Sequence, residues 1–91
     1  MTIRFAPQAE RDLDEIRARI EADRPAIAGN VIARILQSIR YLDNFPRLGR
    51  PGLLPDTREL SIYGLPYKAV YRIEGDIIFV AAIIHTSREF P

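Results

Sequence analysis

The chain has no cysteine and no tryptophan, and its 91 residues include one histidine and one methionine. Without cysteine, disulfide bonds and thiolate chemistry are excluded, and a reducing compartment is the simplest location. A single histidine without cysteine also argues against a dedicated zinc or haem site, so no metal and no cofactor are expected. The longest apolar run is residues 77–84, far too short to cross a membrane, and the N-terminus lacks a signal-peptide pattern. We therefore expect a cytoplasmic protein.

The composition is that of an ordinary globular chain, with 47% hydrophobic and 27% charged residues. The length fits one domain, which we predict to cover residues 1–91. The net charge of +1 does not indicate nucleic-acid binding, but residues 47–73 carry five basic side chains against two acidic ones. This positive bias falls on the predicted loop and sheet, where a partner could bind. An ordinary solvated surface explains it equally well.

Apolar residues at helical spacing predict a first helix over residues 7–23, which begins at a proline and ends before Pro25. Its apolar stripe consists of Ala9, Leu13, Ile16 and Ile20. A second helix is predicted from Pro25 to about Asn44, and the short connection favours an antiparallel helical hairpin. Gly29 lies in this second helix, and its missing side chain is expected to let the first helix approach closely.

The stretch from Thr57 to Arg88 predicts three antiparallel strands, because it is rich in β-branched and aromatic residues and contains two turns. The turns are Gly64-Leu65-Pro66 and Glu74-Gly75-Asp76. Residues 47–56 are predicted to be a crossover loop. Together with a short N-terminal edge strand, the pattern predicts an α+β fold of order β-α-α-β-β-β, with the helical hairpin packed on a small antiparallel sheet of four strands.

The last strand is apolar on both faces, which indicates a central strand covered by helices on one side. Strict alternation would place Phe79, Ala81 and Ile83 on one face and their neighbours on the other. In so small a chain, a partner could supply the second cover.

Catalytic motifs are absent: there is no phosphate-binding glycine loop, no HExxH and no GxSxG. A ribonuclease would need cations near the scissile phosphate and a group that transfers a proton. His85, the single histidine of the chain, is the candidate for that group. The alternative is structural, with a hydrogen bond from His85 at the strand end and an ion pair between Arg58 and a nearby acid. For Tyr67 and Tyr71, packing against the helices is favoured over base stacking.

Several short motifs occur in a familiar order along the whole chain. They are Ala9 and Asp12-Leu13, the run from Asp43 to Gly52, Thr57-Arg58-Glu59-Leu60, the run from Leu65 to Ile73, and His85-Thr86-Ser87-Arg88. In this order and spacing the chain resembles the ParE-type toxins of the RelE/ParE superfamily. The resemblance implies a toxin of a type II toxin–antitoxin system that inhibits DNA gyrase, blocks replication and arrests growth without chemistry of its own.

The same resemblance implies a ParD-like antitoxin that binds the toxin in a hetero-oligomer, and contact with operator DNA only through that antitoxin. No membrane partner is expected. Our predicted target-binding residues are Arg58, Glu59, Lys68, Arg72, His85 and Arg88. Our predicted antitoxin-binding residues are Leu13, Ile16, Phe79 and Ile83.

The sister RelE branch cleaves mRNA on the ribosome, which provides an enzymatic alternative. Its catalytic set in this chain would be Arg58, Lys68, His85 and Arg88. The sequence departs from that branch because Glu59 and Ser61 stand where lysines are expected, and no tyrosine follows Arg88. A third alternative is a family member that binds its antitoxin but no longer poisons a target.

Overall fold

The computed structural model of the protein describes residues 1–90. Helix α1 spans Pro7–Asp23 and helix α2 spans Pro25–Arg40, so only Arg24 separates them. Both helices begin at a proline, whose missing N–H costs nothing in the first turn. The predicted bounds of α1 are confirmed. The predicted α2 is a few residues too long, because its last turn tightens into a 3₁₀ helix over Tyr41–Asp43.

The sheet has five strands rather than the predicted four. They are β1 (Thr2–Phe5), β2 (Arg50–Pro51), β3 (Thr57–Ser61), β4 (Tyr67–Glu74) and β5 (Ile77–His85), in the spatial order β1-β5-β4-β3-β2. The additional strand β2 lies inside the segment predicted as a loop and pairs with β3. Two residues give no period-2 pattern, so the sequence carried no signal for this strand.

The sheet is mixed, which corrects the antiparallel prediction. Strands β2 to β5 pair antiparallel, but β1 runs parallel to β5 at the edge. The Thr2 N–H donates to the Asp76 carbonyl and the Ala6 N–H to the Val80 carbonyl, both at 2.9 Å. The direction of β1 depends on how the whole chain returns through the helical hairpin, which no local pattern encodes.

The interior lies between the helical hairpin and one face of the sheet. Fully buried large side chains of this interior are Tyr71, Ile35, Ile39, Leu42, Ile78 and Val80, and Val70 is equally buried on the other face of the sheet. Each large apolar side chain removed from water contributes about 1.5–3 kcal/mol to folding. Gly29 is not part of this packing: a Cβ built on it would have no other atom within 4 Å. The expected close approach of α1 at Gly29 is therefore wrong, and the residue is simply exposed.

An irregularity in β5 changes which side chains share a face. Val70 pairs with Ala82 whereas the next residue, Tyr71, pairs with Val80, so Ala81 is an extra residue in the ladder. Beyond this bulge the alternation is shifted by one, and Ile83 joins the helix-facing core while Phe79 stays on the open face. The prediction that Phe79 and Ile83 share a face is wrong for this reason.

Candidate functional site

The predicted target-binding residues lie on both faces of the sheet. Register places Lys68 and Arg72 of β4, together with Glu59 of β3, on the face that the helices leave open. Arg58 pairs with the buried Tyr71 and lies on the helix side, so Arg58 and Glu59 point to opposite faces. His85 pairs with Tyr67, also on the helix side.

A largely enclosed ion pair occupies the centre of the open face. The Lys68 ammonium lies 2.9 Å from a Glu59 carboxylate oxygen, and the two side chains are only 15% and 20% exposed. Val70 is completely buried although no helix covers this face. It lies opposite Glu59, and between Lys68 and Arg72 on β4. The lone lysine of the chain is therefore paired with an acid of the same sheet face.

The next cation on the open face, Arg72, is also engaged. Its Nε donates to a Glu74 carboxylate oxygen at 2.8 Å, and its guanidinium carbon lies 4.8 Å from the centre of the Phe79 ring. An arginine above an aromatic face at this distance is a cation–π contact. Phe79, predicted to bind the antitoxin, therefore already packs against a side chain of its own sheet.

Arg58 binds the loop after α2. The structural alternative considered for it was an ion pair with a nearby acid, and among residues 1–90 the structure has no such pair. Its guanidinium donates to the Gly49 carbonyl at 2.7 Å and to the Arg47 carbonyl at 3.3 Å. The buried Tyr71 hydroxyl holds the same segment, since it donates to the Pro46 carbonyl at 2.7 Å and accepts the Gly49 N–H at 2.9 Å. Two side chains of the sheet thus fix four backbone groups of one loop.

Burial raises the pKa of the Tyr71 phenol, and the Gly49 N–H and the Arg58 charge lower it by less. The phenol is therefore held in its neutral, donating form. Packing of Tyr67 and Tyr71 against the helices was the favoured prediction and is confirmed, because both belong to the buried core. The hydrogen bonds of Tyr71 to the loop were not anticipated, since a hydroxyl on an apolar face gives no sign of its partner.

His85 is oriented by a neighbour two residues along the chain. The Ser87 N–H donates to Nδ1 of His85 at 3.1 Å, and the Ser87 hydroxyl lies 2.8 Å from the same nitrogen. Its ring also meets the edge of the Tyr67 ring, with centroids 5.9 Å apart. This local bonding matches the structural alternative for His85. Since Nδ1 accepts a hydrogen bond, Nε2 carries the proton of the neutral ring.

A groove of about 310 Å³ lies between α1 and the end of β5. Its lining includes Ile16, Tyr67, Ile83, Ile84 and His85, with charged side chains of both signs around them. Of the predicted antitoxin-binding residues, Ile16 and Ile83 line this groove but are also 4% and 3% exposed members of the core. Leu13 is half-buried and packs against the same core.

The sequence indicated Asp12 only as part of the motif Asp12-Leu13 and predicted no structural role for it. One oxygen of its carboxylate accepts the Ile83 N–H at 3.0 Å, and the other accepts the Gln8 side-chain amide at 2.7 Å. Because β1 ends at Phe5, the second half of β5 has no strand on that side, and the Asp12 carboxylate accepts the Ile83 N–H instead. Asp12 precedes the buried Ile16 by four residues, and residues at this spacing lie on the same side of a helix. This spacing was the available sequence signal.

The candidate catalytic set does not converge. His85 and Arg88 both line the α1–β5 groove, but Lys68 is on the open face and Arg58 binds the loop after α2. Among residues 1–90, no group of three or more potential ligands could hold a metal ion. None of the described helices is long and apolar enough to span a membrane.

The model of one protein family covers nearly the whole chain: the ParE toxin of type II toxin–antitoxin systems, parDE, matches residues 3–90. A relative from Sinorhizobium fredii (strain NBRC 101917 / NGR234), named "Putative toxin Y4kP", is 40% identical over 89 residues, 98% of this chain and 92% of the relative. The chain belongs to the ParE toxin family.

Solved structures place this ParE-family toxin in the same fold. The chain matches the chromosomal ParDE TA system from P. aeruginosa with a TM-score of 0.88 and 25% identity, over 93% of this chain and 95% of that one. A chain of the intact E. coli RelBE toxin–antitoxin complex matches with a TM-score of 0.70 over 96% of this chain and 98% of that one. Identity to the latter is only 14%, so that likeness concerns the fold alone.

Proposed function

We propose that this ParE-family toxin inhibits DNA gyrase and blocks replication in the cytoplasm by binding, without catalysing a reaction. A ParD-like antitoxin neutralises it in a hetero-oligomer, and operator DNA is reached only through that antitoxin. Support for an antitoxin partner comes from the family, which is that of a toxin of type II toxin–antitoxin systems, and from the similar chain of the P. aeruginosa ParDE TA system.

The observation that carries the non-enzymatic proposal is the separation of the basic groups. Cleavage of RNA needs a general acid or base within hydrogen-bonding reach of the reacting phosphodiester, together with cations that stabilise the charge formed there. Here Lys68 is paired with Glu59 on the open face, while His85 lies on the helix side and bonds to Ser87. This geometry favours docking on a macromolecule over phosphodiester chemistry.

The groove between α1 and β5 is our candidate for antitoxin binding. Its apolar floor contains Ile16 and Ile83, and charged residues on its rim include Glu15, Arg19 and Arg88. An antitoxin segment that fits would place an apolar side chain on the floor and charged groups of both signs at the rim. Phe79 lies on the other face of the sheet and belongs to this site only if the antitoxin also wraps around β5.

The proposal is tested in cells by inducing the toxin without antitoxin and following labelled thymidine and methionine incorporation. Gyrase inhibition predicts that thymidine incorporation fails first and that co-expressed antitoxin restores it. An early fall in methionine incorporation would favour the ribosome-dependent ribonuclease instead. Normal growth would indicate a family member that no longer poisons a target.

The His85→Ala variant separates the enzymatic alternative further. His85 is exposed, so this substitution should leave folding intact. If the chain were a ribonuclease using His85, the variant would lose RNA cleavage while keeping its fold. Under our proposal no toxin-dependent RNA cleavage is found with either the unaltered chain or the variant.

A further inference from the structure

The loop between the helices and the sheet exposes an unusual amount of apolar surface. Residues 45–55 contain four large hydrophobic side chains that are between 38% and 65% exposed: Phe45, Leu48, Leu53 and Leu54. Single exposed hydrophobic residues are common on protein surfaces, but a concentration of four on one short segment is typical of a binding surface.

Hydrogen bonds attach the loop 45–55 to the sheet. The Tyr71 hydroxyl and the Arg58 guanidinium bind backbone groups between Pro46 and Gly49, and strand β2 pairs its middle with β3. A Cβ on Gly49 would lie 2.7 Å from a Tyr71 ring carbon, so the loop and the sheet are in close contact. A surface that is already ordered loses little entropy on binding, which favours affinity.

The charge of the loop 45–55 indicates which kind of partner it binds. Residues 45–55 include Arg47 and Arg50, both exposed, and the nearest acidic residue after them along the chain is Asp56. Neither forms an ion pair within the described chain, and the nearby Glu59 carboxylate is taken by Lys68. Charge complementarity therefore requires carboxylates on the partner, beside apolar side chains that cover the leucines.

We propose that the loop 45–55 is the surface with which the toxin docks on its target, a protein face that presents apolar side chains next to carboxylates. The inference rests on the proposed function in that the partner is the toxin's target. Arg58, one of the predicted target-binding residues, then acts by positioning the loop. The α1–β5 groove is left for the antitoxin, since β5 lies three strands from β2, roughly 14 Å across the sheet.

Two double variants test the surface directly. Leu53→Ser with Leu54→Ser removes apolar contacts, and Arg47→Glu with Arg50→Glu reverses the charge. All four side chains are exposed, so both variants should fold and bind the antitoxin as the unaltered chain does. Each should abolish growth arrest on induction and weaken inhibition of purified gyrase by about 30-fold or more.

Matched controls lie elsewhere on the surface. Tyr63→Ser removes a side chain that is 92% exposed on the β3–β4 turn, and Arg17→Glu with Arg40→Glu reverses two exposed charges on the helices. Both controls should arrest growth and inhibit gyrase as the unaltered chain does. Growth arrest reports on any target, whereas inhibition of purified gyrase by the unaltered chain tests gyrase itself. The two measurements therefore distinguish a wrong docking surface from a wrong gyrase proposal.

Four outcomes would overturn the inference. Growth arrest by the loop variants at the level of the unaltered chain would show that the loop is not needed. Loss of antitoxin binding in those variants would assign the loop to the antitoxin. Sedimentation of the unaltered chain, but not of the leucine variant, with phosphatidylcholine–phosphatidylglycerol vesicles would assign it to a lipid surface. An unaltered chain that never arrests growth would have no target to dock on.

Discussion

Replacing Tyr71 by phenylalanine tests how firmly the sheet holds the loop 45–55. The substitution keeps the ring that fills the core and removes only the hydroxyl, which donates to the Pro46 carbonyl and accepts the Gly49 N–H. The Gly49 N–H bond is buried and the Pro46 bond is partly buried, so water replaces the lost hydroxyl poorly. The variant therefore leaves two backbone groups without their partner.

The expected loss follows from the cost of unpaired polar groups. Each buried donor or acceptor left without a partner costs about 1–3 kcal/mol, and partial relaxation of the loop brings the total to about 2–4 kcal/mol. A domain of this size has a free energy of unfolding of about 5–14 kcal/mol. Tyr71→Phe should thus remove a large share of the stability and lower the melting temperature by about 10–20 °C.

Urea unfolding followed by circular dichroism measures this loss. The midpoint should fall while the slope of free energy against urea stays unchanged, because the variant buries the same surface. Tyr63→Phe is the matched control, since Tyr63 is 92% exposed, and its free energy of unfolding should change by less than about 0.5 kcal/mol. If Tyr71→Phe were as mild as this control, the hydroxyl would not hold the loop, and the argument for an ordered docking surface would lose its main support.

The remaining predictions concern proton binding, the α1–β5 contact and an exposed glycine. Burial raises the pKa of Tyr71 in the folded chain. The stability that Tyr71 contributes is therefore complete below pH about 10 and is lost as the pH rises through the folded pKa. The free energy of unfolding of Tyr71→Phe should lack this part of the decrease at alkaline pH. Asp12→Ala deprives the Ile83 N–H of its acceptor and should cost about 1–2 kcal/mol in urea unfolding, whereas Asp14→Ala, on the exposed side of α1, should cost less than about 0.5 kcal/mol. Gly29→Ala should raise the melting temperature by adding about 0.5–1 kcal/mol, because the helix gains an alanine that meets no other atom; a destabilised variant would contradict that reading of the glycine.

The helices and turns could be predicted because their signals are local. Prolines at residues 7 and 25 mark the starts of the helices, and the spacing of apolar residues marks their buried sides. Gly64 and Gly75 have φ angles of 76° and 61°, a conformation that favours glycine, and both lie at turns that the sequence predicted. Each of these features is decided within a few residues of the chain.

The arrangement of the candidate site could not be predicted in the same way. Strand β5 is apolar on both faces, so nothing in its pattern reveals that the bulge at Ala81 moves Ile83 to the helix side. Asp12 and Ile83 meet although 71 residues separate them, and Arg58 meets carbonyls of a loop that precedes its own strand. These contacts follow from tertiary packing, and they decide which polar groups are free to bind a partner.

The proposed function of this ParE-family chain is to poison gyrase by binding. Its most direct test adds the purified toxin, with and without excess ParD-like antitoxin, to gyrase, ATP and relaxed plasmid, and scores both supercoiling and covalent DNA breaks. We expect that supercoiling is lost, that breaks accumulate, and that antitoxin reverses both effects. Unchanged gyrase activity, together with toxin-dependent cuts in ribosome-bound mRNA, would contradict it.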